Sequence, residues 1–435
     1  AGYDEARKVW NAMIDKRPAV IVRCTGAADV REALRFARAQ GLLVAVRGGG
    51  HNVAGFSTCD GGVVIDLSPM RGVIVDPVRR RARVQAGALW KQVDHEAQTF
   101  GLATTGGLVS HTGVAGLTLG GGVGWLMRKL GLACDNLLSA QLVTADGAFV
   151  TASEENDPEL LWALRGGGGN FGIVTSFEFQ LHEAGPMVLG GPIIYPAKTG
   201  ADLLRFYRDW VQTLPDEMTT LVAFFTAPPL PFIPIELQGK LAVALITCHV
   251  GEFEAGAALL DQVRAALPPM VDHAGEMPYV ALQQMFDAAA PWGFHNYGKT
   301  EYVSTLSDDA IDTVTSWAAR MTSPLSALHV HHLGGAVARG GVNSSFAHRE
   351  APFLINVPGM WAEPSQAEAE VKWVRDTAQA LHPFAAAGLY LNFMDGDDAD
   401  KVAAAYGPNY QRLREVKRRF DPENVFRLNQ NILPA

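Results

Sequence analysis

Cysteine is scarce in this chain. Its 435 residues hold 4, at Cys24, Cys59, Cys134 and Cys248, widely scattered and with no CxxC pair. That excludes a dense disulfide framework and leaves the expectation of reduced, mostly buried thiols in a cytoplasmic protein. Basic excess is missing too: the net charge of −9 disfavours a nucleic-acid or anionic-membrane partner, which would need a basic face. No apolar run approaches the ~18 residues of a membrane span. The first residues, Ala1-Gly-Tyr-Asp-Glu-Ala-Arg-Lys8, lack a signal-peptide h-region, although a chain that does not begin with methionine leaves open whether a leader was removed. Internal repeats and low-complexity tracts are absent as well. Hydrophobic residues make up 48%, enough for large cores, and the length exceeds the usual single-domain size.

Glycine is the abundant residue, at 45, above the roughly 7% average. The excess clusters in two loops. The apolar run Leu42-Leu-Val-Ala-Val46 reads as a buried strand and leads into Arg47-Gly-Gly-Gly-His-Asn-Val-Ala-Gly55. Consecutive glycines remove every Cβ, so backbone N–H groups can approach a diphosphate closely. Arg47 would add a fixed charge beside that cradle, and His51 follows as a nucleophilic imidazole. A second loop, Gly113-Val-Ala-Gly-Leu-Thr-Leu-Gly-Gly-Gly-Val-Gly124, comes about sixty residues later. Two such cradles suit a large dinucleotide better than a single phosphate.

Further pieces fall in a characteristic order: Ile65-Asp-Leu-Ser, Val84-Gln-Ala-Gly-Ala88, Lys129-Leu-Gly-Leu-Ala-Cys-Asp-Asn136, Leu160-Leu-Trp-Ala-Leu-Arg-Gly-Gly-Gly-Gly-Asn-Phe-Gly172, Ala405-Tyr-Gly-Pro-Asn-Tyr-Gln-Arg-Leu413 and Phe420-Asp-Pro-Glu-Asn-Val-Phe426. Together with the glycine loops they resemble the vanillyl-alcohol-oxidase superfamily of FAD-linked oxidases and, within it, the berberine-bridge-enzyme-like group, in the bacterial 6-hydroxy-D-nicotine oxidase pattern. The resemblance covers most of the chain. It implies an α+β fold, a PCMH-type FAD-binding domain plus a substrate domain whose antiparallel sheet is backed by helices. It implies a flavin domain over 1–182, a substrate domain over 183–385, and a return to the flavin domain over 386–435. Amphipathic patterns at 29–41, 89–100, 201–214, 254–267 and 366–381 supply helices for that scheme, and apolar runs at 241–248 and 328–333 supply strands.

For the cofactor, the resemblance implies FAD held covalently through its 8α-methyl carbon by His51, within Arg47, Gly48, Gly49, Gly50, Asn52, Gly55 and Phe56. It further implies cofactor contacts from Gly106, Gly107, Gly113, Gly116, Leu119, Gly120, Gly121, Gly122, Gly124, Trp125, Asp135, Asn136, Gly172, Val174, Asn392, Asn429 and Asn431. Many relatives carry a second, cysteinyl link; here Val109 occupies that position, so a single link is expected. The implied activity is that of an oxidase: hydride passes from a small alcohol or amine to flavin N5, and O₂ is reduced to H₂O₂. A dehydrogenase with another acceptor, or a flavin carrier without turnover, stays open, and so does the oligomeric state.

Three motifs point elsewhere. Gly167, Gly169 and Gly172 fit G-x-G-x-x-G, but a helical stretch precedes them and a strand follows, the inverse of a dinucleotide fingerprint. Gly293-Phe-His-Asn-Tyr-Gly-Lys-Thr300 spells a P-loop without a strand before it. His329, His331 and His332 have no Asp, Glu or Cys nearby to complete a metal shell, so no metal is expected. In the family this segment passes near the flavin, which leaves His329 or His331 as either a packed strand histidine or a substrate contact. The catalytic base is open. Plant relatives place a tyrosine at the end of Tyr-x-Asn-Tyr, but this chain reads Tyr390-Leu-Asn-Phe393. As a strand, that segment would put Tyr390 and Asn392 on one face and Phe393 on the other. Tyr390 is then either the base or a packed ring; Asn356 and His331 are the other catalytic candidates.

Overall fold

The computed structural model describes residues 2–340 and 343–435. The strand ahead of the first glycine run, Val44–Arg47, lies parallel to Val63–Asp66, which lies parallel to Val20–Arg23 on its other side. The helix Ala27–Ala39 is the crossover that joins the two outer strands, Val20–Arg23 and Val44–Arg47. Its Val30, Ala33, Leu34 and Ala37 recur at helical spacing and are buried. An antiparallel sheet follows, ordered Val73–Asp76, Arg81–Gln85, Ile173–Gln180, Leu137–Val143, Phe149–Ser153.

The last part of the chain packs back onto this region. Leu391, Met394, Tyr406, Leu413, Val416, Phe426 and Ile432 share one apolar core with Val30, Ile65 and Phe177. An ion pair with no exposure at either side chain secures the return: Lys417 Nζ meets Asp421 Oδ2 at 2.6 Å. Lys417 also donates to the carbonyls of Asn170 and Phe426, and Asp421 accepts from the N–H groups of Val425 and Phe426. A buried pair is tolerable only when its remaining bonds are made in this way.

A larger antiparallel sheet runs Val271–Asp272, Met187–Pro196, Leu241–His249, Met218–Thr226, Ala327–His332, Phe353–Trp361, His295–Val303. Helices Gly200–Trp210, Phe253–Ala266, Asp308–Ala318 and Ala367–Leu381 back one face; their Leu204, Tyr207, Leu260, Val314 and Trp373 pack with Val222, Val243, Leu328, Val330 and Ile355. This is the expected α+β architecture with a helix-backed antiparallel sheet. Strand alternation turns Leu221, Ala223, His329, His331 and Asn356 to the opposite face. That face meets the first half of the chain, where Leu221 and Ala223 pack with Trp125 and Leu126. No helix among the described residues is long and apolar enough to cross a membrane.

One local reading changes. Tyr390–Phe393 is not a strand: Leu391–Phe393 forms a turn of 3₁₀ helix, and the Phe393 N–H bonds back to the Tyr390 carbonyl at 3.0 Å. Four residues are too few for alternation to separate a strand from one helical turn. Tyr390 and Phe393 therefore pack edge to face, with ring centroids 4.8 Å apart, instead of pointing to opposite sides.

Candidate functional site

The two glycine loops meet at their backbones. A Cβ on Gly49 would lie 2.4 Å from Gly113 Cα, and one on Gly113 would lie 2.4 Å from Gly49 N, so neither position admits a side chain. His51 leaves this junction with its ring stacked on Trp10 (centroids 5.0 Å) and edge-on to Trp292 (5.7 Å). Its Nε2 lies 2.7 Å from His111 Nδ1. Burial, with His111 beside it, pushes the His51 pKa down to about 3, so the ring is neutral and its Nδ1 is the nitrogen not engaged with His111. His111 was not singled out in the sequence. It sits two residues before Gly113, in Val109-Ser-His, and nothing but the fold brings it across sixty positions to His51.

Arg47, the charge beside the first cradle, has a protein partner of its own. Parallel register sets it beside Asp66, and its Nε and Nη2 bind Asp66 Oδ1 and Oδ2 at 3.2 and 2.9 Å. Burial would raise the Asp66 carboxyl, but Arg47 and the Ser68 N–H outweigh it and hold the group below the usual carboxylate range. Asn52 likewise turns the loop, its Oδ1 accepting from the Phe56 N–H at 3.0 Å.

Several features fit a dinucleotide. A Cβ on Gly116 would meet nothing within 4 Å, so the backbone there is open to close approach. Buried polar atoms lack a protein partner just beyond the first loop (Ser57 Oγ, Thr58 Oγ1), in the second (Thr118 Oγ1) and in the C-terminal segment (Asn429 Oδ1, Gln430 Nε2, Asn431 Oδ1). That segment runs beside the first, since Leu428 packs on Cys59 and Ala45. Each orphan would cost about 1–3 kcal/mol unless something satisfies it. Phosphate, ribose and ring-amide groups of FAD match that set of donors and acceptors.

The second loop is held from below. The Tyr390 hydroxyl oxygen accepts from the N–H groups of Gly122 (3.1 Å) and Val123 (3.0 Å) and from Asn392 Nδ2 (3.0 Å). Asn392 Nδ2 also donates to the Leu117 carbonyl at 3.0 Å. Burial raises the Tyr390 phenol to about 12, against those donors. A proton acceptor would have to be the phenolate, so the structure favours an anchor over a base. Gly120 is small for the same reason: its Cβ would fall 2.1 Å from Asn392 Oδ1.

Other expected cofactor residues are engaged with protein. Asp135 binds Arg349 through both oxygens (2.6 and 2.9 Å). Asn136 donates to the carbonyls of Leu130 and Leu132 and pairs with His182. Gly172 makes room for Leu142, Gly106 packs against Gly124, and Val174 is buried in its strand. Leu119 belongs to the core shared with the C-terminal segment, Trp125 lies tilted against Phe286 at 5.5 Å, and Phe346 lies against the bare backbone of Gly121.

Across from the loops, the face of the large sheet turned away from its helices brings His329 beside Asn356 and Ala223, and His331 beside Leu354 and Leu221. His329 stacks on Phe286 at 6.0 Å and meets His331 edge-on at 5.8 Å; Phe393 lies 6.5 Å from His331. Burial pushes His329 down to about 4 and His331, with His329 adjacent, to about 3. His331 Nε2 is buried with no partner. His332 faces the other way, toward Arg128 and Phe353. Among the described residues no group of three His, Cys, Asp or Glu could hold a metal ion. The P-loop lettering lies mostly within the strand His295–Val303, where Lys299 pairs with Asp398 at 2.8 Å. Gly167–Gly172 lies between helix Pro158–Leu164 and strand Ile173–Gln180.

Comparison with known proteins agrees with this geometry. Residues 18–153 match the FAD binding domain family, and residues 389–433 match the berberine and berberine-like family. An FAD-linked oxidoreductase of Dictyostelium discoideum is 31% identical over 98% of this chain and 91% of its own. The (R)-6-hydroxynicotine oxidase of Paenarthrobacter nicotinovorans is 32% identical over 100% and 95%. The crystal structure of 6-hydroxy-D-nicotine oxidase from Arthrobacter nicotinovorans superposes with a TM-score of 0.90 at 30% identity, covering 100% of this chain and 96% of that one. A berberine-bridge-enzyme-like protein of Arabidopsis thaliana shares the fold, with a TM-score of 0.89 at 21% identity and coverage of 100% and 97%. The chain belongs to the berberine-bridge-enzyme-like family of FAD-linked oxidoreductases, and it is an FAD enzyme.

Proposed function

We propose that this chain is a covalent-FAD oxidase that takes hydride from a C–H bond of a small amine or activated alcohol and delivers the electrons to O₂. His51 holds the flavin covalently; the Gly49–Gly113 junction brings the two loops together, Gly116 leaves open backbone for the diphosphate, and Ser57, Thr58, Asn429 and Asn431 supply polar partners. Bound there, FAD supplies a two-electron acceptor for the hydride and, once reduced, a donor that converts O₂ to H₂O₂.

The observation that carries the reading is His331, a neutral imidazole whose buried Nε2 has no protein partner on the sheet face that meets the glycine loops. It offers a hydrogen bond to substrate O–H or N–H, and Asn356 offers an amide beside His329. A pKa of about 3 makes His331 a weak base at neutral pH. Its part is then to orient the donor, which suits an amine that reacts in its neutral form and needs no strong base. Phe286 and Phe393 keep the flanks apolar, so water is excluded from those bonds.

Relatives named as oxidases support the O₂ half. The test is anaerobic mixing with panels of amines, alcohols and sugars, followed by admission of air. Bleaching by an amine or activated alcohol, with peroxide formed on reoxidation, is expected. Bleaching without peroxide would mean a dehydrogenase, and no bleaching by any panel member would overturn the reading.

A further inference from the structure

We infer that His111 takes the Nε2 proton of His51 as that imidazole forms its bond to the flavin, and so drives the protein's own cofactor attachment. The inference rests on the covalent link proposed above.

The step requires one tautomer of the pair. The proton of a neutral His111 lies on Nε2, with the backbone carbonyls of Asp287 and of His111 itself beside its ring to accept it. The lone pair on Nδ1 then faces His51 Nε2 at 2.7 Å, and His51 is the donor of that bond. This leaves the His51 lone pair on Nδ1, the nitrogen free to attack carbon. Asp287 is itself fixed: its carboxylate accepts from the Ser110 N–H at 2.8 Å and the Ser110 hydroxyl at 2.6 Å. Trp10 clamps the face of the His51 ring, so its approach is set by stacking as well as by the bond.

The step balances as follows. A C–H bond of the 8α-methyl breaks and a C–Nδ1 bond forms, while His51 Nε2–H passes its proton to His111. The methyl carbon loses an electron pair, the flavin ring gains it with two protons, one of them relayed from His111, and O₂ then removes both electrons as H₂O₂. Without His111 the attacking imidazole would become a buried cation beside two tryptophans, in a place where burial already holds His51 neutral. His111 acts through His51 and is a positioning and proton-accepting residue.

The test compares wild type with His111→Asn and His111→Ala, reading the flavin retained after acid precipitation and its growth during incubation with FAD in air. Attachment should slow by about 10²–10⁴-fold in both variants, the usual worth of a positioned base. Imidazole added to the Ala variant should restore it. Asn keeps an acceptor where Nδ1 was but cannot carry a proton, so wild-type attachment in the Asn variant would overturn the inference. Failure of imidazole to rescue a folded, FAD-binding Ala variant would count against it as well. If wild type itself retains no flavin, the covalent reading fails, and not the role of His111.

Discussion

Replacing Tyr390 with phenylalanine removes one oxygen and leaves the ring between Phe346 and Phe393. No cavity opens, so the cost comes from what that oxygen accepted. The N–H groups of Gly122 and Val123 lose their acceptor in a fully buried setting, while Asn392 keeps the Leu117 carbonyl. At about 1–3 kcal/mol for each stranded donor, Tyr390→Phe should destabilise the protein by about 2–6 kcal/mol. Urea unfolding measures that loss. Stopped-flow reduction of the folded, flavin-loaded variant should stay within about threefold of wild type, since a protonated phenol performs no base catalysis. Unchanged stability, with reduction slowed about 10²–10⁴-fold and its pH dependence abolished, would refute the anchor and restore the base.

Acid should destabilise the protein below pH 6.5. His329, His331 and His332 are held neutral by burial, at about 4, 3 and 3, whereas in the unfolded chain they take up protons near their ordinary value. The stability is present above pH 6.5 and is lost toward pH 3–4, by about 1.4 kcal/mol per pH unit for each imidazole, which chemical denaturation across that window would show; a flat profile contradicts the assignment. Asp421→Ala strands the fully buried Lys417 charge and should cost about 3–5 kcal/mol in the same assay. Gly120→Ala forces Asn392 aside and should lower flavin retention together with stability; a variant equal to wild type would show that Asn392 does not brace the loop.

Much of the scaffold was legible because its signals are local. The helix expected over 29–41 spans Ala27–Ala39, and the one expected over 366–381 spans Ala367–Leu381, both set by apolar residues at helical spacing. What the sequence hid depends on partners distant along the chain. Arg47 reads as a charge beside the glycine cradle, and its partner Asp66 comes into view only through parallel pairing. His111 has no motif of its own and gains its meaning from a 2.7 Å contact with His51. Tyr390 and Asn392 do meet, but through a 3₁₀ turn and a direct hydrogen bond, not through a shared strand face. His331 is a different case: alternation alone put it on one face with His329, and only the helices packed behind the sheet show which face turns toward the first half of the chain.

The covalent flavin at His51 is the claim on which the rest depends, and it can be read from one measurement. Acid-denatured protein, digested and mapped by mass, should carry the flavin on one peptide, the one containing His51, and His51→Ala should release all of its FAD on denaturation. Flavin freed completely from the wild-type chain, or found on a peptide bearing Cys24, Cys59, Cys134 or Cys248, would contradict the account.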